Sequence, residues 1–481
     1  MEVKKKPLSE DWLSLWIGLF IFVLSLGVFI GADILGFGIT TGVWTNLSKA
    51  LNPISKGYSG LGGIGSLIVS YLFLLVVMTI GAAMLRANLK KFIIGFTLVF
   101  WISYICTIIG SWANIAATTP ADMKKFGISW SLKLTPEAGF IVALVVGLLI
   151  GNFSPGFART IKEAVRPELY IKTAIVILGG FLGVIAAERL GLATAVMFRG
   201  LCAIVEAYLI YWALVYFVAR KYFKFSREWA APLASGISIC GVSAAIATGG
   251  AIKARPVVPI MVSSLVVIFA VVELLILPFL ANSFLWKEPM VAGAWMGLAV
   301  KTDGAAVASG AITDSLIRAT ALANSGVNYK EGWMMGSATT VKVFIDVFIG
   351  IWAFVLAWIW ASKIESRPGE KVGGGVIWER FPKFVIGYVI TFLVILFISL
   401  GSPGLMGKAK VAMGEGNLFR GIFFTLTFFT IGVVSNFKKL WEEGIGKLAG
   451  VYLLCLFGFI IWIGLFISWI FFHGIKPPLA G

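Results

Sequence analysis

The sequence has little histidine, cysteine or charge, and each shortage excludes a class of protein. Its one histidine, His473, lies near the C-terminus, which leaves histidine-based catalysis, haem ligation and a transition-metal centre without ligands. The four cysteines show no C-x-x-C spacing and fall in apolar segments, which predicts neither a zinc site nor a disulfide framework. Charged residues make up 13% of the chain, against about 25% in soluble proteins. We therefore expect no enzymatic activity, no cofactor and no metal.

Long apolar segments are what the sequence does contain. Hydrophobic residues make up 59% of it, the mean hydropathy is +0.95, and apolar runs recur from Trp12 to Phe472. This composition predicts an all-α polytopic protein of the cell membrane. The net charge of +17 would suggest a nucleic-acid partner in a soluble chain. Here basic residues cluster in alternate loops, where they orient helices, so we expect no nucleic acid and a cytoplasmic N-terminus.

The apolar runs predict about 13 transmembrane segments. They lie at roughly residues 12–34, 64–86, 92–112, 137–151, 170–187, 197–219, 229–251, 256–281, 290–310, 332–361, 383–401, 417–434 and 447–472. Three segments form an N-terminal extension (1–135), and the other ten divide into two groups of five (136–285 and 286–475). An odd number of spans inverts the second group relative to the first. We therefore predict two inverted five-helix repeats with broken crossing helices, although any ten spans can be divided in this way.

Three segments contain residues that interrupt helices. In segment 7, 14 of the 18 residues from Ala234 to Ala251 are Gly, Ala, Ser, Thr or Cys. Segment 9 carries Lys301-Thr302-Asp303-Gly304 at its centre, and segment 12 ends in Ser435-Asn436. Segments 7 and 12 hold the same place in the two repeats, so they are the predicted crossing pair. The alternative for segment 7 is tight helix packing through small residues.

Two lysines lie in segment interiors, whereas the other basic residues fall in loops, tails or segment ends. A cation such as Lys301 or Lys342 at bilayer depth costs about 2.5–3.5 kcal/mol and normally faces a partner or a wet cavity. We interpret both as charges that hold a small anion. The alternative is that both snorkel to the membrane surface.

Small polar residues would complete this predicted anion site. Backbone and hydroxyl groups of the segment 7 break and of segment 9 would donate hydrogen bonds to the anion, and the end of segment 12 would do the same in the second repeat. The residues are Ser238, Gly241, Ser243, Thr302, Ser435 and Asn436.

Carboxylates in the apolar segments have two interpretations. Asp303 and Asp346 either neutralise the lysines or carry a coupling proton or sodium ion. Glu206 and Glu273 are expected to line an interface in protonated form, with ion carriage as the alternative.

Several stretches resemble a known family. GISICGVSAAIA (236–247) resembles the ICG-[AV]-SA signature of the YeiH-like sulfate exporter family, and GLAVKTDGAAVASG (297–310) is similar to its second signature. ATTVKVFIDVFIG (338–350) is similar to a third motif. The chain departs at Lys301-Thr302-Asp303, where the family has His-Asp-Thr, and at Asp346, where it has Arg. The resemblance implies an anion transporter of the NhaA and bile-acid symporter fold type.

The leading hypothesis is a secondary transporter for a small anion, such as an inorganic oxyanion, a sulfonate or a carboxylate. One alternative is a cation/proton antiporter, and another is a channel or accessory membrane subunit. The sequence contains no GxxxxGKS motif, so direct use of ATP is not expected. The expected partners are the anion, a proton or sodium ion and the lipid bilayer, with a homodimer left open.

Overall fold

The computed structural model describes residues 9–117, 120–132, 138–190, 205–330, 332–364, 383–434 and 445–479. Within these residues, eight helices are long and apolar enough to cross a membrane. A ninth span is counted if the helices Ala138–Phe153 and Pro155–Ala164, bent by 115° at their junction, are taken together. The predicted all-α polytopic membrane protein is confirmed, and the count of 13 segments stays a prediction.

The chain forms two compact units, and the first consists of Met1–Ala113, Pro136–Glu188 and Lys383–Lys439. Its helices are α1 (Glu10–Ser25), α2 (Gly62–Met84), α3 (Leu89–Gly110), α6 (Ala138–Phe153), α7 (Pro155–Ile161), α8 (Pro167–Leu190), α17 (Lys383–Gly401) and α18 (Pro403–Val434). Short 3-10 turns span Leu26–Ile30, Leu47–Lys49, Lys56–Leu61 and Lys162–Ala164. Strands β1 (Ile39–Thr41) and β2 (Leu51–Pro53) pair antiparallel. A short helix α4 (Ala113–Ala116) begins where this unit ends.

Glycines let two helices of the first unit approach backbone to backbone. A Cβ atom on Gly147 of α6 would lie 3.0 Å from the Gly432 Cα of α18. A polar contact joins α17 to α8, because the Thr391 hydroxyl donates to the Val176 carbonyl at 2.8 Å. Small residues and side-chain hydroxyls are the usual means by which membrane helices associate.

The second unit consists of Asn114–Thr135, Arg189–Pro382 and Leu440–Gly481. Its helices are α5 (Pro120–Phe126), α9 (Trp212–Lys221), α10 (Arg227–Ser238), α11 (Val242–Ala251), α12 (Val257–Leu285), α13 (Pro289–Ala299), α14 (Asp303–Ser325), α15 (Trp333–Val347), α16 (Ile349–Ile359), α19 (Ile445–Cys455) and α20 (Ile461–Phe472). Three π-helices, π1 (Val205–Tyr211), π2 (Trp360–Ile364) and π3 (Leu456–Ile460), adjoin α9, α16 and α20.

Two apolar segments of the second unit are interrupted helices. Segment 7 breaks between α10 and α11 at Ile239–Gly241, where Gly241 adopts a φ of +70°. Segment 9 breaks between α13 and α14 at Val300–Thr302, which is extended at both ends. These are the small-residue stretch and the Lys-Thr-Asp-Gly centre that the sequence indicated.

The predicted break in segment 12 and the predicted boundaries of the repeats both stay predictions. Ser435 and Asn436, where segment 12 was predicted to break, lie outside the described residues, and α18 is continuous up to Val434. The structure places the break of segment 7 against that of segment 9, as described below, and the predicted pairing of segments 7 and 12 stays a prediction. The N-terminal extension (1–135) and the two five-helix repeats (136–285 and 286–475) stay predictions.

Candidate functional site

One ammonium group joins the two helix breaks of the second unit. Lys342 extends from α15, and its Nζ donates to the Ile239 carbonyl at 2.7 Å and to the Lys301 carbonyl at 3.2 Å. Ile239 directly follows the last residue of α10, and Lys301 lies in the break that follows α13. Lys342 is only 2% exposed, so this contact lies in the interior of the unit. We name the two breaks and Lys342 the crossing.

Both lysines contact the carbonyl ends of helices. The Lys301 ammonium donates to the Leu298 carbonyl in the last turn of α13, and the residue is 1% exposed. Unsatisfied carbonyls give a helix C-terminus about half a negative charge, which a nearby cation stabilises. Neither lysine snorkels to the surface of the unit. Their ammonium groups neutralise the carbonyl ends of α10 and α13.

The amino ends of two half-helices begin next to this neutralised pair. Helix α11 starts after Gly241 and α14 starts after Thr302, each within three residues of a carbonyl that Lys342 binds. The first-turn N–H groups of a helix have no acceptor within it, and they carry about half a positive charge. Thr302 is half-buried, and its hydroxyl makes no capping hydrogen bond. Such an end favours an anionic guest.

Hydroxyl groups lie on the helices that form the crossing. Ser238 is the last residue of α10, it is fully buried, and its Oγ has no hydrogen-bond partner among the described residues. Ser243 lies buried in the first turn of α11. Ser337 of α15 was not singled out from the sequence, yet its buried Oγ also lacks a partner within the described part. Buried hydroxyls normally have partners, so these two are available to a ligand.

Glycine contacts set the position of Lys342. A Cβ atom on Gly293 of α13 would lie 2.6 Å from the Met334 carbonyl oxygen of α15. A Cβ atom on Gly297 of α13 would lie 2.5 Å from the Ala338 carbonyl oxygen of α15. Gly310 of α14 lies against the Ala338 Cβ in the same way. Helix α15 therefore sits directly against both halves of the interrupted helix. This close approach lets a lysine of α15 reach the break.

Two carboxylates surround Lys301, and the sequence did not assign them to the site. Glu273 of α12 accepts the Lys301 backbone N–H at 2.9 Å through Oε2. Glu206 of π1 is fully buried, and both glutamates interact electrostatically with the Lys301 ammonium. The same ammonium lies 4.7 Å from the ring centroid of Tyr211, a cation–π contact. In the sequence, both glutamates are isolated acids within apolar runs, but the sequence does not indicate that they lie next to Lys301.

Two π-helices meet at this cluster. The Tyr211 hydroxyl, at the end of π1, donates to the Ile460 carbonyl at the end of π3, at 2.8 Å. The indole of Trp295 in α13 donates to the next carbonyl, that of Ile461, also at 2.8 Å. The wide turn of a π-helix displaces backbone hydrogen bonds, and π-helices are frequent at functional sites. These side chains hold π1, α13 and α20 together around Lys301.

The other predicted site residues are placed as follows. Asp346 is buried on α15, one turn after Lys342. Asp303 opens α14, but its side chain lies outside the described part, as do Ser435 and Asn436 entirely. The structure therefore brings together Ser238, Gly241, Ser243, Lys301, Thr302 and Lys342 on the elements of one crossing.

Comparison with known proteins places the chain among membrane proteins. A model of the family described as conserved hypothetical protein 698 matches residues 128–450. A UPF0324 membrane protein of Nitrosomonas europaea is 43% identical over 475 residues, covering 98% of this chain and 97% of that protein. A UPF0324 membrane protein of Nitratidesulfovibrio vulgaris is 28% identical over 415 residues, covering 83% of this chain and 63% of that protein. No solved structure matches the chain.

These matches extend over nearly the whole chain, and they include both stretches that form the crossing. The YeiH-like resemblance fits the same family. The chain belongs to the UPF0324 membrane protein family.

Proposed function

We propose that this protein is a secondary transporter for a small anion, which binds at the crossing in the second unit. The observation that carries the proposal is the position of Lys342, whose ammonium occupies the carbonyl ends of α10 and α13. With the negative ends neutralised, the amino ends of α11 and α14 are left to attract negative charge. Interrupted helices that expose their ends near the bilayer midplane are the usual substrate sites of transporters.

The chemistry of the crossing favours a compact oxyanion or a small carboxylate or sulfonate. Backbone N–H groups of two first turns and the hydroxyls of Ser238, Ser243 and Thr302 are all able to donate hydrogen bonds. In this proposal the lysines act by position: they keep the breaks together and contribute positive field, while the half-helices contact the guest. Alternating access would expose this site to one side of the membrane at a time, within the predicted fold of inverted repeats.

A thermal-shift screen followed by counterflow tests the proposal. Purified protein is heated with sulfate, phosphate, isethionate and lactate, because a bound anion raises the melting temperature by mass action. The stabilising anion is then measured in proteoliposomes, where saturable exchange of labelled for unlabelled anion requires a carrier. Stabilisation together with counterflow supports the proposal. Flux without saturable exchange supports a channel, and a melting temperature insensitive to all four anions contradicts anion binding.

Replacement of the Thr302 hydroxyl tests its contact with the anion. Thr302→Val removes a hydrogen bond worth about 0.5–1.5 kcal/mol and should weaken anion binding about two- to tenfold. Thr160→Val is the matched control, since the Thr160 hydroxyl donates to the Gly156 carbonyl of its own helix. Equal anion affinity in both variants would remove Thr302 from the site.

The buried carboxylates favour one second candidate, a cation/proton antiporter. Both oxygens of Glu206 and one of Glu273 lack hydrogen-bond partners among the described residues, and carboxylate oxygens are cation ligands. Lys301→Ala separates the two functions. It should abolish anion binding in a transporter of anions, whereas an antiporter would keep pH-dependent binding of sodium.

A further inference from the structure

The cluster around Lys301 contains more titratable groups than the crossing needs to hold its helices. Lys342 bridges the two breaks through its two hydrogen bonds. Lys301 in addition brings an ammonium group into contact with Tyr211 and into electrostatic interaction with Glu206 and Glu273. The four residues come from π1, α12 and the break of segment 9.

Glu206 is the member of this cluster that no structural role explains. It is fully buried, and neither carboxylate oxygen has a hydrogen-bond partner among the described residues. Its Oε1 lies beside α20, where a Cβ atom on Gly464 would be 3.3 Å from Oε1 and 2.7 Å from the Tyr211 hydroxyl. If it is ionised, a buried carboxyl without hydrogen bonds destabilises a fold by several kcal/mol. If Glu206 had only a structural role, an apolar side chain in its place would therefore make the fold more stable.

We propose that Glu206 and Lys301 form a proton-binding pair that couples anion movement to proton movement in the same direction. The step is the uptake of one proton from water by the Glu206 carboxylate beside the Lys301 ammonium. An O–H bond of hydronium breaks and a carboxyl O–H bond forms, which takes the pair from zero net charge to a net charge of +1. The reverse step returns the proton to water on the other side of the membrane as the anion leaves. The inference rests on the proposed function, because it needs an anion at the crossing.

The link from the anion to the pair is the Lys301 backbone. Its N–H donates to Glu273 and its carbonyl accepts from Lys342, and the next residue, Thr302, directly precedes the amino end of α14. An anion at that end stabilises positive charge nearby, so the pair gains a proton when the anion binds. Reciprocity then requires that protonation strengthens anion binding.

The remaining groups that face the pair set its background charge. Glu273 of α12 and Lys342 of α15 interact electrostatically with Lys301, and Asp346 lies one turn from Lys342. From α19, Tyr452 is buried and interacts with Glu273. Glu273 accepts the Lys301 N–H through Oε2, whereas neither oxygen of Glu206 has a hydrogen-bond partner among the described residues. The proposed step therefore places the proton on Glu206.

The experiment compares two kinds of sulfate transport in proteoliposomes. The full-length protein should show sulfate counterflow without a pH gradient, and should accumulate sulfate when the outside is made acidic. Glu206→Gln should keep counterflow and lose the response to the pH gradient. Glu163→Gln is the control, because the Glu163 carboxylate forms a 3.9 Å ion pair with Arg166, outside the cluster. It should leave both activities unchanged.

The outcomes separate the two proposals. Absence of wild-type counterflow would refute sulfate transport, and the coupling falls with it. Counterflow that ignores the pH gradient would leave transport standing and refute coupling, as would accumulation by Glu206→Gln. If Glu206→Gln loses counterflow as well, the coupling is tested by proton binding to the wild-type protein. In weakly buffered detergent, adding sulfate to that protein should raise the pH because protons are bound, and an unchanged pH would overturn the proposal.

Discussion

The ammonium group of Lys342 replaces hydrogen bonds that two interrupted helices lose. Each break leaves backbone carbonyls without the N–H groups of a following turn, and membrane interiors supply no water in compensation. Lys342 binds one such carbonyl from each helix. The sequence indicated that this cation was important because it lies in an apolar segment. It did not indicate the acceptors, since Ile239 is 103 residues away along the chain.

Lys342→Met should destabilise the protein and abolish anion counterflow. Two buried carbonyls would each lose a partner, at a cost of about 1–3 kcal/mol for an unsatisfied buried group. The melting temperature and counterflow of the variant are compared with those of Lys221→Met, which changes an exposed lysine at the end of α9. A Lys342→Met protein with wild-type melting and counterflow would mean that the bridge has no role.

Gly241→Ala tests the backbone conformation of the segment 7 break. Gly241 has a φ of +70°, and a Cβ there would overlap the Val266 side chain and lie 3.1 Å from the Lys301 carbonyl oxygen. A sparsely populated backbone conformation of this kind costs other residues about 1–3 kcal/mol, and overpacking adds about 1–3 kcal/mol.

Gly326 provides the control for that substitution. It has a φ of +66° and open space around its Cβ position, so Gly326→Ala carries the conformational cost alone. We expect a larger fall in melting temperature for Gly241→Ala than for Gly326→Ala. Equal falls would show that the close approach of the two breaks contributes nothing.

At the scale of elements, the breaks were predictable, whereas their pairing was only partly so. Gly, Ser and Ala crowd segment 7, and a Lys-Thr-Asp-Gly run interrupts segment 9, so local composition indicated both positions. The predicted partner of segment 7 was segment 12, from an assumed repeat. The contact with segment 9 depends on where α12 and α15 pack, and this is set by glycine contacts that no local pattern reveals.

The packing of α13 on α15 gives a prediction at this scale. Gly297→Ala should destabilise the protein, because its Cβ would meet the Ala338 carbonyl oxygen at 2.5 Å. Gly414→Ala, in α18 with no neighbour within 4 Å of its Cβ, should be neutral or stabilising, since alanine favours helix by about 0.5–1 kcal/mol. Thermal unfolding of both variants checks the difference. A stable Gly297→Ala protein would show that α13 and α15 do not require this approach.

The chain also holds its second unit together outside the membrane segments. The C-terminal residues Gly474 and Lys476 bind the carboxylate of Glu288, the residue before α13. Further along, Lys330 donates its N–H to the Pro478 carbonyl at 2.8 Å. The terminal residues therefore connect the start of α13 to the segment that follows α14. A sequence without a fold gives no sign of this connection, because the contacts join residues far apart in the chain.

The stability that this connection contributes should be lost at acidic pH. Burial would raise the pKa of Glu288, but the Gly474 N–H and the Lys476 ammonium outweigh it and hold the pKa below its ordinary value of 4.5. A lowered pKa contributes stability that is present above the ordinary value and is lost as the pH falls through the folded-state value. The melting temperature of the wild type should therefore exceed that of Glu288→Gln at neutral pH, and the gap should close below pH 4.5. A gap that persists in acid would contradict this assignment.

At the scale of the whole molecule, the membrane class and the anion hypothesis followed from composition and two misplaced cations. The role of those two cations did not follow from the sequence, because it depends on which atoms surround them in the fold. Lysines expected to hold the anion bind helix carbonyls. Glutamates expected to line an interface surround Lys301. A charge in an apolar segment signals that a partner exists, and three-dimensional packing selects the partner.

The most direct test of the account is the position of a bound anion. Selenate has the shape and charge of sulfate and scatters anomalously, so its selenium can be located in crystals of the protein. We expect one anomalous peak within hydrogen-bond distance of the first-turn N–H groups of α11 and α14, next to Ser243 and Thr302. A fully occupied peak elsewhere, or none at saturating selenate, would contradict the claim that the crossing is the anion site.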